Sequence, residues 1–179
     1  FKEEIVPIKV DEVFVKEGKR VESNHIVEVD EGVRRDTTLE GLAKLRPAFK
    51  KGGVVTAGNS SQTSDGAAFT LIMSEKKVTE MGLDPIAKLL GCAVGGVDPL
   101  YMGIGPCLAI PKVLKQTGLK LSDIEQTELN EAFAVQSLAV IQEAGLDPNT
   151  VNLNGGAIAM GHPLGCTGAK LTIQLLNDM

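Results

Sequence analysis

Residues 152–168 read NLNGGAIAMGHPLGCTG, and how this stretch is parsed decides the fold. Val151 to Leu153 is β-prone, Gly155 and Gly156 allow a tight turn, and Pro163 stops a helix from running through. From Leu164 to Met179 the spacing of Leu171, Ile173, Leu175, Leu176 and Met179 predicts a largely buried helix. His162 therefore falls on a turn flanked by Gly161 and Pro163, where a strand hands over to a helix. A neutral imidazole presented there can take up a proton near neutral pH, as a general base must. The alternative is that His162 merely packs in a Gly-rich turn.

The segments before this turn repeat the same alternation. From Ile86 the pattern predicts a strand to Val97, a helix opening at Gly103–Pro106 and running to about Gly118, and a strand from Glu125 to Leu129. A helix from Asn130 to Gly145 follows, with Asn130 as a good N-cap and Glu131 complementing the dipole. That order implies a parallel or mixed sheet with right-handed crossovers. In such sheets ligands gather at the carboxyl ends of the strands. ELNEAF and NLNGGA stand at two such ends, and they carry Asn130 and lead to His162.

Towards the other end, Phe1 to Val29 reads as a β-hairpin with a charged tip at Glu17-Gly18-Lys19. Thr38 is placed to cap a short helix from Leu39 to Leu45, ended by Pro47. Lys44, Arg46, Lys50 and Lys51 surround Phe49 in a basic stretch that reads as a solvated face. Val54 to Ala57 is β-prone and runs into GNSSQTSDG, a loop dense in turn formers. A buried strand is predicted over 67–73 and a helix over 75–81.

The 179 residues suit one good-sized domain, or one and part of another. A hydrophobic fraction of 43% and a charged fraction of 23% are ordinary for a globular chain, and a net charge of −5 does not favour a nucleic-acid surface. No run is long enough to span a bilayer as a helix, and no signal-peptide pattern opens the chain. Phe1 is no initiator and Met179 ends a helix without a capping residue, so a segment of a longer chain is expected. Cys92, Cys107 and Cys166 are unclustered, which argues against a disulfide scaffold and fits a reducing compartment. With no CxxC and only His25 besides His162, a structural zinc site lacks ligands.

Two further features could do chemistry. The loop GNSSQTSDG can aim backbone N–H groups and hydroxyls at a ligand, although it is neither a Walker loop nor a GxGxxG turn. Small residues at Ala57 and Gly58 would let an extended ligand lie close to the backbone. Cys166, in the first turn after Pro163, is a nucleophile candidate beside His162, against the common case of a buried, inert cysteine.

Together GNSSQTSDGAA (58–68), MGIGP (102–106), LNEAFA (129–134) and NGGAIAMGHPLGCTG (154–168) resemble the thiolases, acyl-CoA C-acetyltransferases. All four occur in the family's order, and the resemblance runs from about Gly32 to the end. It implies an α/β chain with a thiolase-like αβαβα layered fold, two core domains each carrying a sheet and a loop domain inserted in the first. On that template residues 1–63 are the remainder of the loop domain and 64–84 the end of the N-terminal core domain. Residues 85–179 are then the C-terminal core domain, truncated before its last strands.

The activity implied is thiolytic cleavage of a 3-ketoacyl-CoA by CoA, through a cysteine thioester. His162, by its place in GHP, matches the histidine that activates the nucleophile and helps bind the thioester oxygen. Asn130, by its place in NEAF, matches the residue that holds an oxyanion-hole water. Ser61, Ala57, Phe49, Met102 and Phe133 match positions lining the pantetheine or acyl channel, and their largely apolar character suits a long thin ligand. The family's nucleophilic cysteine and its second cysteine have no counterpart in this chain, and Cys166 stands where relatives often have alanine. Arg35 replaces a common proline outside the site motifs.

The resemblance further implies CoA as a substrate, no other cofactor and no metal. It implies a homodimer or homotetramer of the full-length enzyme, with neither nucleic acid nor membrane insertion. The setting would be cytoplasmic in a bacterium, and peroxisomal or mitochondrial in a eukaryote. The longer hairpin and the HPLGCTG wording favour the degradative, β-oxidation branch. The alternatives are the biosynthetic acetyl-CoA acetyltransferase and a non-catalytic, lipid-binding or scaffold subunit.

Overall fold

A computed structural model describes residue 1 and residues 4–179, so residues 2 and 3 of the predicted hairpin segment lie outside the described residues. The chain forms two compact units, residues 1–33 and 34–179. In the first, β1 (Ile8–Lys16) and β2 (Lys19–Val27) pair antiparallel from Ile8–Val27 to Lys16–Lys19. The connection is two residues, Glu17 and Gly18, at φ +53° and +75°. Both central residues at positive φ give the turn whose twist matches the strands it joins.

The second unit is built on helices with local start and stop signals. Thr38 accepts the Gly41 N–H at 3.0 Å to start α1 (Leu39–Ala43). Ser74 caps α2 (Glu75–Met81), and Gly82 ends it in the left-handed conformation. The remaining helices are α3 (Gly105–Thr117), α4 (Ala134–Ala144), α5 (Ala157–Met160) and α6 (Thr167–Asp178). Leu129, Val140 and Leu146 are buried together, with Cys107, Ile110, Leu121, Ile141, Ala144 and Val151 packed around them. This core fixes the two strand ends at 129–130 and 151–152 against α3 and α4.

The predicted strands appear only in outline. Thr127 and Val151 form a parallel bridge, with Thr127 N to Thr150 O and Asn152 N to Thr127 O both at 2.9 Å. Residues 67–73 and 86–97 form no ladder. A strand needs a neighbouring strand to take its N–H and C=O groups, and among the described residues these segments have none, Val94 O being met by Lys112 Nζ at 3.0 Å. Phe69, Leu71, Ile86 and Val94 accordingly stand exposed.

Two helix starts also differ from the sequence reading, and one short helix is added. Helix α4 begins at Ala134, not Asn130, because residues 130–133 are held extended. Phe133 bridges Ser60, and Ser61 N donates to Ala132 O at 3.0 Å. Asn130 is therefore not a helix cap. Helix α6 starts at Thr167, after a turn in which Cys166 N donates to Pro163 O at 2.8 Å. The short α5, which the Gly-rich pattern did not suggest, lies between the last strand end and His162.

Candidate active site

Asn152 joins the two strand ends. Its Oδ1 accepts from Leu129 N at 2.7 Å, and its Nδ2 donates to Leu129 O at 2.8 Å and to Glu131 Oε1 at 3.0 Å. The residue is buried at φ +50°, a left-handed conformation that asparagine tolerates better than most residues. The other carboxylate oxygen, Glu131 Oε2, accepts from Ile158 N at 3.2 Å, anchoring the start of α5. Gly156 is needed at this point, since a Cβ there would fall inside the Glu131 carboxylate. Glu131 thus ties Asn152 to the start of α5, and does not sit in the first turn of α4, where it would complement the dipole.

From this anchor α5 runs to Gly161, at φ +89°, where a Cβ would meet Ser64 Oγ. The peptide between Gly161 and His162 is held on both sides. Lys170 Nζ donates to Gly161 O at 3.2 Å, and His162 N donates to Gln62 O at 3.1 Å. Gln62 Nε2 reaches back to Ile158 O and Ala159 O at 3.4 and 3.3 Å, so the SSQTS segment is seated on the same turn. The half-buried His162 ring then has Nε2 3.3 Å from Asn130 Nδ2 and Nδ1 2.7 Å from Thr167 Oγ1. Asn130 Oδ1 is buried without a partner. The strand-end reading placed Asn130 and His162 near one another, and the structure brings their side chains into contact.

The other sequence-selected residues sit on neighbouring segments. Phe49 and Phe133 meet edge to face, ring centroids 5.9 Å apart and planes at 79°. Ser61 is tied to Ala132, next to that ring pair, and Ala57 opens a single turn capped by Thr56. Met102 lies on the turn before α3, which packs on α4 with Gly103 against Gln136, and its side chain is 78% exposed. Among the described residues no hydrogen bond or ring contact joins Met102 to the others. Cys166 lines an open cavity of about 330 Å³ with residues 64–69 and Pro163–Gly165. Asn152, Gln62, Thr167 and Lys170 were not singled out from sequence. Only Asn152 carried a signal, as the first residue of NLNGGA, where it takes the place that Glu128 has in ELNEAF.

Charge collects behind the site. Burial pushes the Glu128 carboxyl above the ordinary glutamate value, Asp178 and Glu131 push it the same way, and Lys170 partly offsets them. Glu128 Oε1 has no partner. A carboxyl raised in this way binds its proton more tightly folded than unfolded. Its contribution to stability is therefore fully present below the unfolded value and is lost as pH rises through the folded one. Glu128→Gln keeps the shape without the charge, so it should raise the urea midpoint at neutral pH, with the gain closing below about pH 4. An equal gain at both pH values would show that charge is not the cause.

The family model for the thiolase N-terminal domain matches residues 1–76, and that for the thiolase C-terminal domain matches residues 83–179. The chain belongs to the thiolase family, and its fold is the thiolase-like α/β fold. It is 55% identical over its full length to a 3-ketoacyl-CoA thiolase of Bacillus subtilis, of which it covers 46%. It is similar to the crystal structure of a Bacillus anthracis acetyl-CoA acetyltransferase, with TM-score 0.83 and 47% identity, covering 94% of this chain and 42% of that one. The human mitochondrial 3-ketoacyl-CoA thiolase in complex with CoA matches with TM-score 0.77 and 44% identity, over 86% of this chain and 39% of that one. The chain thus spans less than half the length of these relatives.

Proposed function

We propose that this chain is the C-terminal part of an acyltransferase that cleaves 3-ketoacyl-CoA with CoA to acetyl-CoA and a shortened acyl-CoA. The observation that carries the reading is the contact of His162 Nε2 with the Asn130 side chain, at two strand ends in a thiolase-like fold. A cysteine thiolate, supplied outside these residues, attacks the C3 carbonyl carbon. The C2–C3 bond breaks, acetyl-CoA leaves as its enolate and takes a proton, and the acyl group stays on sulfur. The thiol of CoA then attacks the thioester and releases the shortened acyl-CoA. His162 takes the thiol proton, and Asn130 holds a water towards the oxygen that gains negative charge. CoA is a substrate, and no other cofactor is needed.

The domain division follows from the resemblance, and the change of family model between residues 76 and 83 lies near its boundary at 84–85. The full-length enzyme is a homodimer or homotetramer, cytoplasmic in a bacterium and peroxisomal or mitochondrial in a eukaryote. Among the described residues no helix is long and apolar enough to cross a membrane. The degradative direction is favoured by the 55% identity to a 3-ketoacyl-CoA thiolase. The biosynthetic alternative draws on the likeness to an acetyl-CoA acetyltransferase.

A chain of the relatives' full length that contains these residues should form acetyl-CoA from long 3-ketoacyl-CoA and CoA, with higher kcat/KM than on acetoacetyl-CoA. A preference for acetoacetyl-CoA alone would favour the biosynthetic reading. No acetyl-CoA from any 3-ketoacyl-CoA would favour the scaffold subunit and sink the proposal. The channel assignment has its own test in Met102→Asp. Because the side chain is largely exposed, the new charge stays partly wet, and KM for CoA substrates should rise only about 3- to 10-fold. Unchanged KM for every CoA substrate would remove Met102 from the channel.

A further inference from the structure

The hydroxyl of Thr167 has one proton and two lone pairs to share. It is buried at the start of α6, with Oγ1 3.0 Å from Pro163 O and 2.7 Å from His162 Nδ1. A carbonyl oxygen can only accept, so the proton in the first contact is the one Thr167 carries. With its proton on Pro163 O, which also accepts from Cys166 N and Thr167 N at 2.8 and 2.9 Å, the hydroxyl meets Nδ1 as an acceptor, and this arrangement places a hydrogen on Nδ1. A neutral imidazole has a single N–H, which leaves the lone pair on Nε2.

The opposite edge of the ring gives the same answer. Nε2 faces Asn130 Nδ2, an amide nitrogen that can donate but not accept. Two partners on separate elements, one at the start of α6 and one at a strand end, are both met by the Nδ1–H tautomer, with Asn130 Nδ2 donating to Nε2. We propose that Thr167 is a positioning residue that fixes His162 in the Nδ1–H tautomer and so reserves Nε2 for proton uptake. The inference rests on the proposed thiolase reading only for what Nε2 does next. When Nε2 takes the thiol proton, the resulting imidazolium already has Nδ1–H bonded to Thr167. No ring flip or relocation of the Nδ1 proton is needed, and only the Asn130 amide, which donates to neutral Nε2, has to give way.

The test uses a full-length chain labelled with ¹⁵N-histidine, with His162 signals assigned by their loss in His162→Gln. Ring-nitrogen NMR of the neutral wild type should show the proton on Nδ1. Thr167→Val, close in shape but without a hydroxyl, should move the ring towards Nε2–H or a mixture. Its kcat should fall roughly 10- to 100-fold, less than an enforced wrong tautomer costs, with KM within about twofold. Thr167→Ser should restore both readouts. A wild type with the proton on Nε2 overturns the proposal, whether or not the valine variant folds. So does a valine variant that keeps Nδ1–H and full turnover. The NMR result is independent of catalysis. Nδ1–H without thiolytic activity would overturn the functional reading alone, and Nε2–H with activity would overturn this inference alone.

Discussion

His162→Ala in a chain of the relatives' full length should lower kcat about 10²- to 10⁴-fold, the usual cost of losing a positioned general base. The substitution removes both ring contacts, to Asn130 and to Thr167. It leaves the backbone bond from His162 N to Gln62 O, so the turn itself should persist. The expected stability loss is correspondingly small, about 1–2 kcal/mol for two partly exposed hydrogen bonds. Because the thiol proton would have no acceptor, the loss should fall on the first step, formation of the acyl-enzyme. KM for CoA should change little, since the residues assigned to the channel lie on other segments. Single-turnover acylation, followed by intact mass, separates these effects. A variant that acylates at the wild-type rate would show that His162 only packs its turn.

The parts of the fold legible in the sequence were those with local causes. Ser74 and Gly82 bracket α2 by their own chemistry, and the Glu17-Gly18 tip fixes the hairpin without help from the rest of the chain. The meeting of Asn130 with His162 was legible as well, because parallel strand ends carry their turns to one edge. What failed was non-local. Asn130 had the composition of a helix cap, but pairing of residues 132 and 133 with Ser60 and Ser61 keeps that segment extended. The strands over 67–73 and 86–97 had the right side chains, yet a ladder is a property of two segments. Thr167 looked like any residue in a first helical turn. Its importance comes from the direction of one proton, which no spacing records.

The loss of the cap also changes what Asn130→Ala and Asn130→Asp should do. Had Asn130 capped α4, alanine would cost about 0.5–2 kcal/mol of stability. In the structure α4 starts four residues later, and Asn130 Oδ1 is buried with no partner. Removing an unpaired buried acceptor relieves a desolvation cost, so Asn130→Ala should be neutral or slightly stabilising. Its kcat should nevertheless fall about 10²- to 10³-fold, as when one donor is taken from an oxyanion hole. Asn130→Asp should be worse. Its carboxylate would stand about 3.3 Å from His162 Nε2, in place of an amide that donates to it. A negative charge so close favours the imidazolium and repels the oxyanion, so the base is occupied and the developing charge is opposed. The expected order of kcat is wild type, then alanine, then aspartate. The expected order of urea midpoints puts alanine at or above wild type. Activity that falls only in step with the midpoint would return Asn130 to a structural role.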